Sequence, residues 1–397
     1  MAQKIISKLM NHKLIRITTI PLSLEKLLEN QLKFMKRFFE VTAVSSDDHR
    51  LQQFGKEQGV DTFHVDLSRQ ITPVKDLKAV VELYRFFKKE KPSIVHTHTP
   101  KAGIVGMLAS KLAGVPIRMH TVAGLPLMQT SGVKRTVLNT VEKLTYYCAT
   151  NVYPNSKGLK EFIFNKKLIS ERKLKILGNG SSNGIDTKHF SPSQVSDLEK
   201  RQLRTDLNIS KNDFVFVFVG RLVGDKGINE LVQAFIKMSK THTNSKLLLV
   251  GPLETDLDPL LPNTLNEIKN NEAIIYAGFQ TDVRPYFAIS NALVFPSYRE
   301  GFPNVVMQAG AMGLPSIVTD INGCNEIIRS DVNGIIIPVK DVQAIYNAMK
   351  KLVSDKSYYN KVQENSRQMI EKNYSQSELW NALLDEYNSL IELKINA

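Results

Sequence analysis

Two cations, Arg221 and Lys226, stand five residues apart just beyond the apolar run Val215–Val219, in Gly220-Arg221-Leu222 followed by Gly224-Asp225-Lys226-Gly227. Cations beyond a buried strand suit a diphosphate, Arg221 through bidentate contact and Lys226 as a point charge. Glycine on both sides of Lys226 lets backbone come close to a ligand as well. The plainer alternative is a solvated turn whose lysine aids solubility.

A lone carboxylate, Glu300, follows a second apolar run that ends at Phe295-Pro296-Ser297. Gly301 and Phe302, with Pro303 near the first helical position, make a helix start, and a helix start offers free N–H groups to an anion. In the simplest reading Glu300 complements the helix dipole. However, Ala309, Gly310, Ala311 and Gly313 imply a helix packed very close to a neighbour, and a carboxylate beside a phosphate site is placed to accept hydrogen bonds from sugar hydroxyls.

In the first half, His96-Thr97-His98 closes a strand, and period two puts both imidazoles on one face. No third metal ligand is evident, and one of the two is expected to be a packed, satisfied histidine. Thr99-Pro100-Lys101-Ala102-Gly103 opens a helix in which Lys101 is positioned for an acceptor phosphate. Asp256-Leu257-Asp258 mimics a metal-binding D-x-D but sits in a proline-rich loop and is set aside.

These residues need elements to hold them. Short β-branched runs alternate with amphipathic stretches, which argues for βα units and parallel sheets. Candidate strands are Ile15–Ile20, Val41–Ser45, Thr62–Val65, Ser93–Thr97, Ile117–Val122, Val152–Pro154 and Leu174–Leu177, then Phe214–Val219, Lys246–Val250, Ala273–Ala277, Ala292–Phe295, Ser316–Thr319 and Ile335–Pro338. The fold class is therefore α/β with two Rossmann-like domains, residues 1–205 and 206–375, whose strand ends are expected to meet at a cleft. The polar segment Ser191–Asn212 is the expected connection. Residues 376–397 form an amphipathic helix with Leu379, Leu383, Tyr387 and Leu390 on one stripe, expected to return to the first domain.

At 397 residues the chain has ample length for two cores. No apolar run reaches the roughly 18 residues of a membrane span, and the N-terminal patch around Lys4, Lys8 and Lys13 lacks a signal-peptide core, so a cytoplasmic location is expected. Cys148 and Cys324 offer neither a metal pair nor a disulfide framework and read as buried thiols. The net charge of +13 divides into 34 Lys+Arg against 17 Asp+Glu over residues 1–205 and 18 against 22 over the rest. No nucleic-acid recognition motif accompanies the basic half, which leaves an anionic membrane surface or a solvated surface.

Taken together, Pro296-Ser297, Glu300-Gly301-Phe302, Gly313-Leu314-Pro315 and Gly220-Arg221-Leu222…Lys226-Gly227 resemble the family 4 retaining glycosyltransferases of GT-B fold. The resemblance implies that Arg221 and Lys226 hold the donor diphosphate, that Glu300 contacts the donor sugar, and that His120, ending its strand before Val122-Ala123-Gly124-Leu125-Pro126, lies beside the transferred sugar. Family members carry a second acid eight positions after the first, at the ribose; here that position is Gln308. Further donor contacts are implied for Gly220, Phe279, Gln280, Gly301, Phe302, Pro303, Asn304 and Val305, and acceptor-side roles for His98, Lys101 and Gly124. No cofactor or metal is implied.

The runs His98–Gly124 and Ile321-Asn322-Gly323-Cys324-Asn325-Glu326 most resemble bacterial members that extend polyprenyl-diphosphate-linked sugars for surface polysaccharides such as capsule or O-antigen, often from UDP-N-acetylhexosamines. The expected partners are thus a UDP-sugar, a lipid-linked saccharide and the inner face of the membrane, met peripherally. A sugar-nucleotide epimerase of the same fold and a non-catalytic nucleotide-sugar-binding subunit are the alternatives.

Overall fold

The structure, a computed structural model, describes residues 12–68, 70, 72–125, 132–256 and 258–395. Lys4, Lys8, Pro126 and Leu257 lie outside the described residues. The chain divides into two compact units, residues 1–183 with 377–397, and residues 184–376.

The first unit holds a six-stranded parallel sheet: β1 (Lys13–Ile17), β2 (Glu40–Ser45), β3 (Asp61–His64), β4 (Ile94–Thr97), β5 (Ile117–Val122) and β6 (Asn151–Pro154), in the order β3-β2-β1-β4-β5-β6. Such strands are buried on both faces, and in β1 and β4 every residue but Lys13 is buried. One face packs Ile17, Val95 and Val105 into a core with the helices Pro73–Glu90 and Pro100–Ala113. The other face packs Leu14, Met119 and Tyr153 against Leu383, Tyr387 and Ile391 of the helix Gln376–Ile395, so this helix returns to the first unit. Its buried stripe runs Leu379, Leu383, Tyr387, Ile391, with Leu390 at the edge.

The second unit repeats the plan with β7 (Phe214–Val219), β8 (Ser245–Val250), β9 (Ile274–Gly278), β10 (Ala292–Phe295), β11 (Ser316–Thr319) and β12 (Gly334–Ile337), in the order β12-β11-β10-β7-β8-β9. Phe214-Val-Phe-Val-Phe-Val219 lies at its centre, paired with β8 on one side and β10 on the other.

Two expectations are corrected. Leu174–Leu177 is not a strand: it meets β6 at an isolated bridge between Val152 and Leu174, and Leu177 packs against the core that holds the C-terminal helix. The division falls between Asn183 and Gly184 rather than after residue 205. Ile185, Phe190 and Val195 belong to the second core, and the expected connection contains the helix Asp197–Asp206, started by a capping box of Ser196 and Glu199. Arg204 ties this helix down by donating to the carbonyls of Ile289 (2.7 Å) and Asp213 (3.0 Å).

Three histidines are buried in the first sheet. His96 binds the Tyr387 hydroxyl through Nδ1 (2.7 Å) and Thr121 through Nε2 (2.8 Å), so it is the satisfied histidine of the pair. His96 and His98 share a face, with ring centroids 4.2 Å apart. Burial holds His96 and His98 well below the usual histidine range, with Arg16 adding to the effect, and burial lowers His120 to about 4. An unfolded histidine titrates near about 6.5, so the unfolded chain binds protons first. Stability is therefore full above about pH 7 and declines as the pH falls below about 6.5. Guanidinium unfolding is expected to keep its midpoint between about pH 8 and 7 and lose it by about pH 5.5; a midpoint constant down to pH 5.5 would contradict neutral burial of these rings.

Candidate functional site

In an open parallel sheet, ligands bind beyond the carboxyl ends of the strands where the strand order reverses. In the second unit that point lies between β7 and β10, and the loops after these two strands carry Lys226 and Glu300. The two side chains form an ion pair, each 17% exposed, and Ser297 Oγ donates to Glu300 Oε1 at 3.0 Å. Lys226 ends a single 3-10 turn, Gly224–Lys226, shaped by Asp258: its backbone carbonyl accepts from Gly224 N–H at 3.0 Å and its carboxylate accepts from Asp225 N–H. Asp258 of the D-x-D look-alike thus braces the turn that carries Lys226. Gly227 has φ of +71°, and a Cβ there would lie 2.2 Å from the Pro296 carbonyl oxygen, so only glycine lets the two loops come this close.

The helix Asn304–Ala311 begins one residue after Pro303, which stands at the N-cap. No side chain caps it, and its first N–H groups remain for a ligand. Gly310 explains the small-residue run: a Cβ there would meet Ile370 of the helix Lys356–Tyr374 at 2.7 Å. Phe302 is buried against Tyr374, and Asn322 Nδ2 donates to the Gly301 carbonyl at 2.6 Å, which fixes the turn behind Glu300. Gln308 sits half-buried one turn into the helix from exposed Asn304, and Val305 is half-buried between them.

Arg221 is half-exposed and pairs with Glu254 at 2.7 Å, and Gly220 precedes it at the end of β7. Phe279, 71% exposed, and Gln280, whose amide donates to the Ala277 carbonyl at 2.7 Å, follow β9. An aromatic ring left in solvent beyond the carboxyl end of β9 suits stacking on a base. Burial and the nearby Glu300 carboxylate push the Cys324 thiol well up, so it is a core residue. Tyr298 binds Glu230 at 2.7 Å, and Arg299 binds Asp225 at 2.7 Å, bracing both loops.

In the first unit the order reverses between β1 and β4, where Thr19 N–H donates to Thr99 Oγ1 at 3.0 Å. His98, Thr99, His120, Gly124 and Glu142 line one recess of about 50 Å³ there. His120 Nδ1 is held by Thr97 Oγ1 at 2.8 Å, and a Cβ on Gly103 would lie 2.6 Å from its Cε1. Lys101, expected to face an acceptor phosphate, is paired with Asp76 at 2.5 Å, its side chain 10% exposed. The expected helix from Thr99 does form, starting at Pro100, and places Lys101 on its first turn within reach of the acid. Among the described residues no three His, Cys, Asp or Glu side chains gather as a metal site.

Sequence reasoning missed Arg16, Gln31 and Glu142. Arg16 carried a signal, a lone charge inside the apolar strand Lys13–Ile17; Glu142 sits in an ordinary amphipathic helix, Gly132–Cys148, and carried none.

Residues 30–180 match the glycosyl transferase 4-like domain and residues 199–369 match glycosyl transferases group 1. The chain is 34% identical to the capsular polysaccharide biosynthesis glycosyltransferase CapM of Staphylococcus aureus, covering 96% of this chain and 98% of that one. It is 29% identical to a UDP-Gal:alpha-D-GlcNAc-diphosphoundecaprenol alpha-1,3-galactosyltransferase of Escherichia coli, covering 80% and 81%. Its fold matches that of Anabaena HepE in complex with UDP, with a TM-score of 0.78 at 17% identity over 95% of this chain and 100% of that one. With the six-stranded sheets, the glycine-flanked Lys226 turn and the Glu300 helix start, these matches make the chain a member of the group 1, family 4-like glycosyltransferases of GT-B fold.

Proposed function

We propose that the protein transfers a sugar, an N-acetylhexosamine or related hexose, from a UDP-linked donor to a polyprenyl-diphosphate-linked saccharide in bacterial surface polysaccharide synthesis, with retention of anomeric configuration and without a metal ion. The observation that carries this reading is the Lys226–Glu300 pair at the start of an uncapped helix, beyond the strand-order reversal of the second sheet. The names of the CapM and Escherichia coli relatives support the polysaccharide and lipid-linked assignments.

Breaking the bond between sugar and diphosphate develops negative charge on the leaving phosphate and positive charge on the anomeric carbon. In this reading Lys226 leaves Glu300 for the phosphate, Arg221 leaves Glu254, and the amides of Phe302 to Val305 with the helix start take up the remaining charge. Glu300, released, accepts from hydroxyls of the donor sugar and faces the developing cation, with Ser297 holding its other contact. Phe279 and Gln280 serve the base, Gly220, Gly301 and Pro303 shape the backbone around it, Asn304 adds a polar group, and Gln308 serves the ribose. His120, its Nδ1 fixed by Thr97, presents Nε2 toward the transferred sugar. The acceptor hydroxyl attacks from the face the leaving group departs, giving its proton to the phosphate.

No helix among the described residues is long and apolar enough to cross a membrane. Peripheral attachment to the inner face of the cell membrane is supported by the basic first half and by Val74, Leu77 and Val81, exposed on the helix Pro73–Glu90 among Lys75, Lys78 and Arg85. Binding to vesicles is expected to require acidic lipid and to weaken with salt; binding that ignores both leaves the first half a solvated surface.

Arg221→Ala and Lys226→Ala are expected each to lower kcat/KM by about 100-fold or more while the protein stays folded, and turnover is expected to survive EDTA. Near-normal rates in both variants, or dependence on added metal, would overturn the diphosphate assignment. Conversion of the UDP-sugar without acceptor would instead support an epimerase.

Glu300→Gln is expected to lower kcat, because it removes charge at the reacting centre. Gln308→Ala is expected mainly to raise the donor KM, since uniform binding does not accelerate chemistry. Gln308→Glu, nearly isosteric, is expected to be tolerated. Steady-state kinetics at saturating acceptor separate these outcomes; a pure KM effect at Glu300 would contradict its role.

A further inference from the structure

Arg16 is fully buried on β1 beside His96, and no carboxylate pairs with it among the described residues. Its Nη1 donates to the Tyr387 hydroxyl at 3.1 Å, its Nη2 to Gln31 Oε1 at 2.5 Å and its Nε to His98 Nε2 at 3.0 Å. A guanidinium has no lone pair to offer, so His98 Nε2 is the acceptor, and the one proton of the neutral ring must sit on Nδ1. That Nδ1–H is buried and has no partner among the described residues. An unsatisfied buried donor is destabilising, a cost a bound ligand would remove.

His98 lines the recess beyond β4 and β5 together with Thr99, His120, Gly124 and Glu142. Glu142 is 5% exposed, and no cation pairs with it among the described residues. Burial pushes its carboxyl up from the ordinary range, and the neighbouring Tyr146 hydroxyl opposes that shift. A donor without an acceptor and an acid without a counter-charge in one lining suit a neutral ligand group that accepts from one and donates to the other. Sugar hydroxyls and N-acetyl amides have that chemistry. A phosphate, itself anionic, does not fit beside the buried carboxyl of Glu142.

We propose that this recess grips the acceptor sugar through one hydroxyl or N-acetyl group, with His98 Nδ1–H donating to it and Glu142 accepting from it, and with Arg16 as the positioning residue that fixes the His98 tautomer. The proposal rests on the transferase reading above and adds the group that reads the acceptor.

The test is kinetics of the full chain with a water-soluble N-acetylglucosaminyl-diphosphate alkyl acceptor and with its glucosyl counterpart, which lacks the acetamido group. His98→Ala and Glu142→Ala are expected to raise the acceptor KM about tenfold or more with the donor KM unchanged within about twofold. His98→Asn, whose amide N–H lies where Nδ1–H lies, is expected to recover most of the loss, and Glu142→Gln part of it. A penalty that vanishes with the glucosyl acceptor assigns the amide, and one that persists assigns a hydroxyl. Histidine-selective ¹⁵N spectra are expected to find His98 as the Nδ1–H tautomer in the wild type and to lose that fixed state in Arg16→Met. Unchanged acceptor KM in the folded alanine variants, an effect on donor KM alone, or an Nε2–H tautomer would overturn the proposal. A wild type with no acceptor-dependent turnover would overturn the transferase reading itself, a failure distinct from turnover that the variants leave intact.

Discussion

The second unit depends on one ion pair held in place by one close contact. Lys226 and Glu300 meet because the loop after β7 passes within touching distance of the loop after β10, and that passage exists because residue 227 has no Cβ. Two opposite charges, mostly desolvated, cost less together than either would cost alone, so the pair keeps both groups poised at the sheet edge until a ligand supplies other partners. In the proposed function a diphosphate would take the lysine and sugar hydroxyls the carboxylate. The surrounding contacts, from Asp258 under the turn to Asn322 behind Gly301, restrict both loops to positions where that exchange needs little backbone motion.

The first unit solves a different problem with neutral groups. A guanidinium buried without a carboxylate is stable only if its donors find acceptors, and here a tyrosine hydroxyl, a glutamine carbonyl and an imidazole supply them. One of those acceptors, Tyr387, comes from the last helix of the chain, so the returning helix completes the polar interior of the sheet as well as its apolar face. Gln31 joins the same network to Asn183, its amide donating at 3.0 Å, and Trp380 Nε1 donates to that asparagine at 2.8 Å. Charge, tautomer and helix position are therefore linked within this unit.

Much of this was legible from residue types and spacing. Buried parallel strands declare themselves as apolar runs, and Phe214–Val219 or Ile117–Val122 could be bounded to within a residue. The Arg221, Lys226 and Glu300 motifs were legible because glycine, proline and charge have few other reasons to fall in that pattern. Leu174–Leu177 misled because its apolar period satisfies packing rather than pairing, Leu174 in one core and Leu177 against the other. The polar stretch before β7 misled because Ile185, Phe190 and Val195 are few, yet they anchor it to the second core. Lys101 was placed on the right helix, but its partner Asp76 lies 25 residues away, on a helix whose docking no local pattern predicts. Glu142 escaped for the same reason: its meaning lies in which strand ends it faces.

The central claim is that Lys226 exchanges Glu300 for a diphosphate. An experimental structure of the protein with UDP tests it most directly. The account predicts Lys226 Nζ within hydrogen-bonding distance of a phosphate oxygen, the phosphates at the start of the helix Asn304–Ala311, and Glu300 no longer paired to the lysine. UDP bound elsewhere on this unit, with the Lys226–Glu300 pair intact, would contradict it.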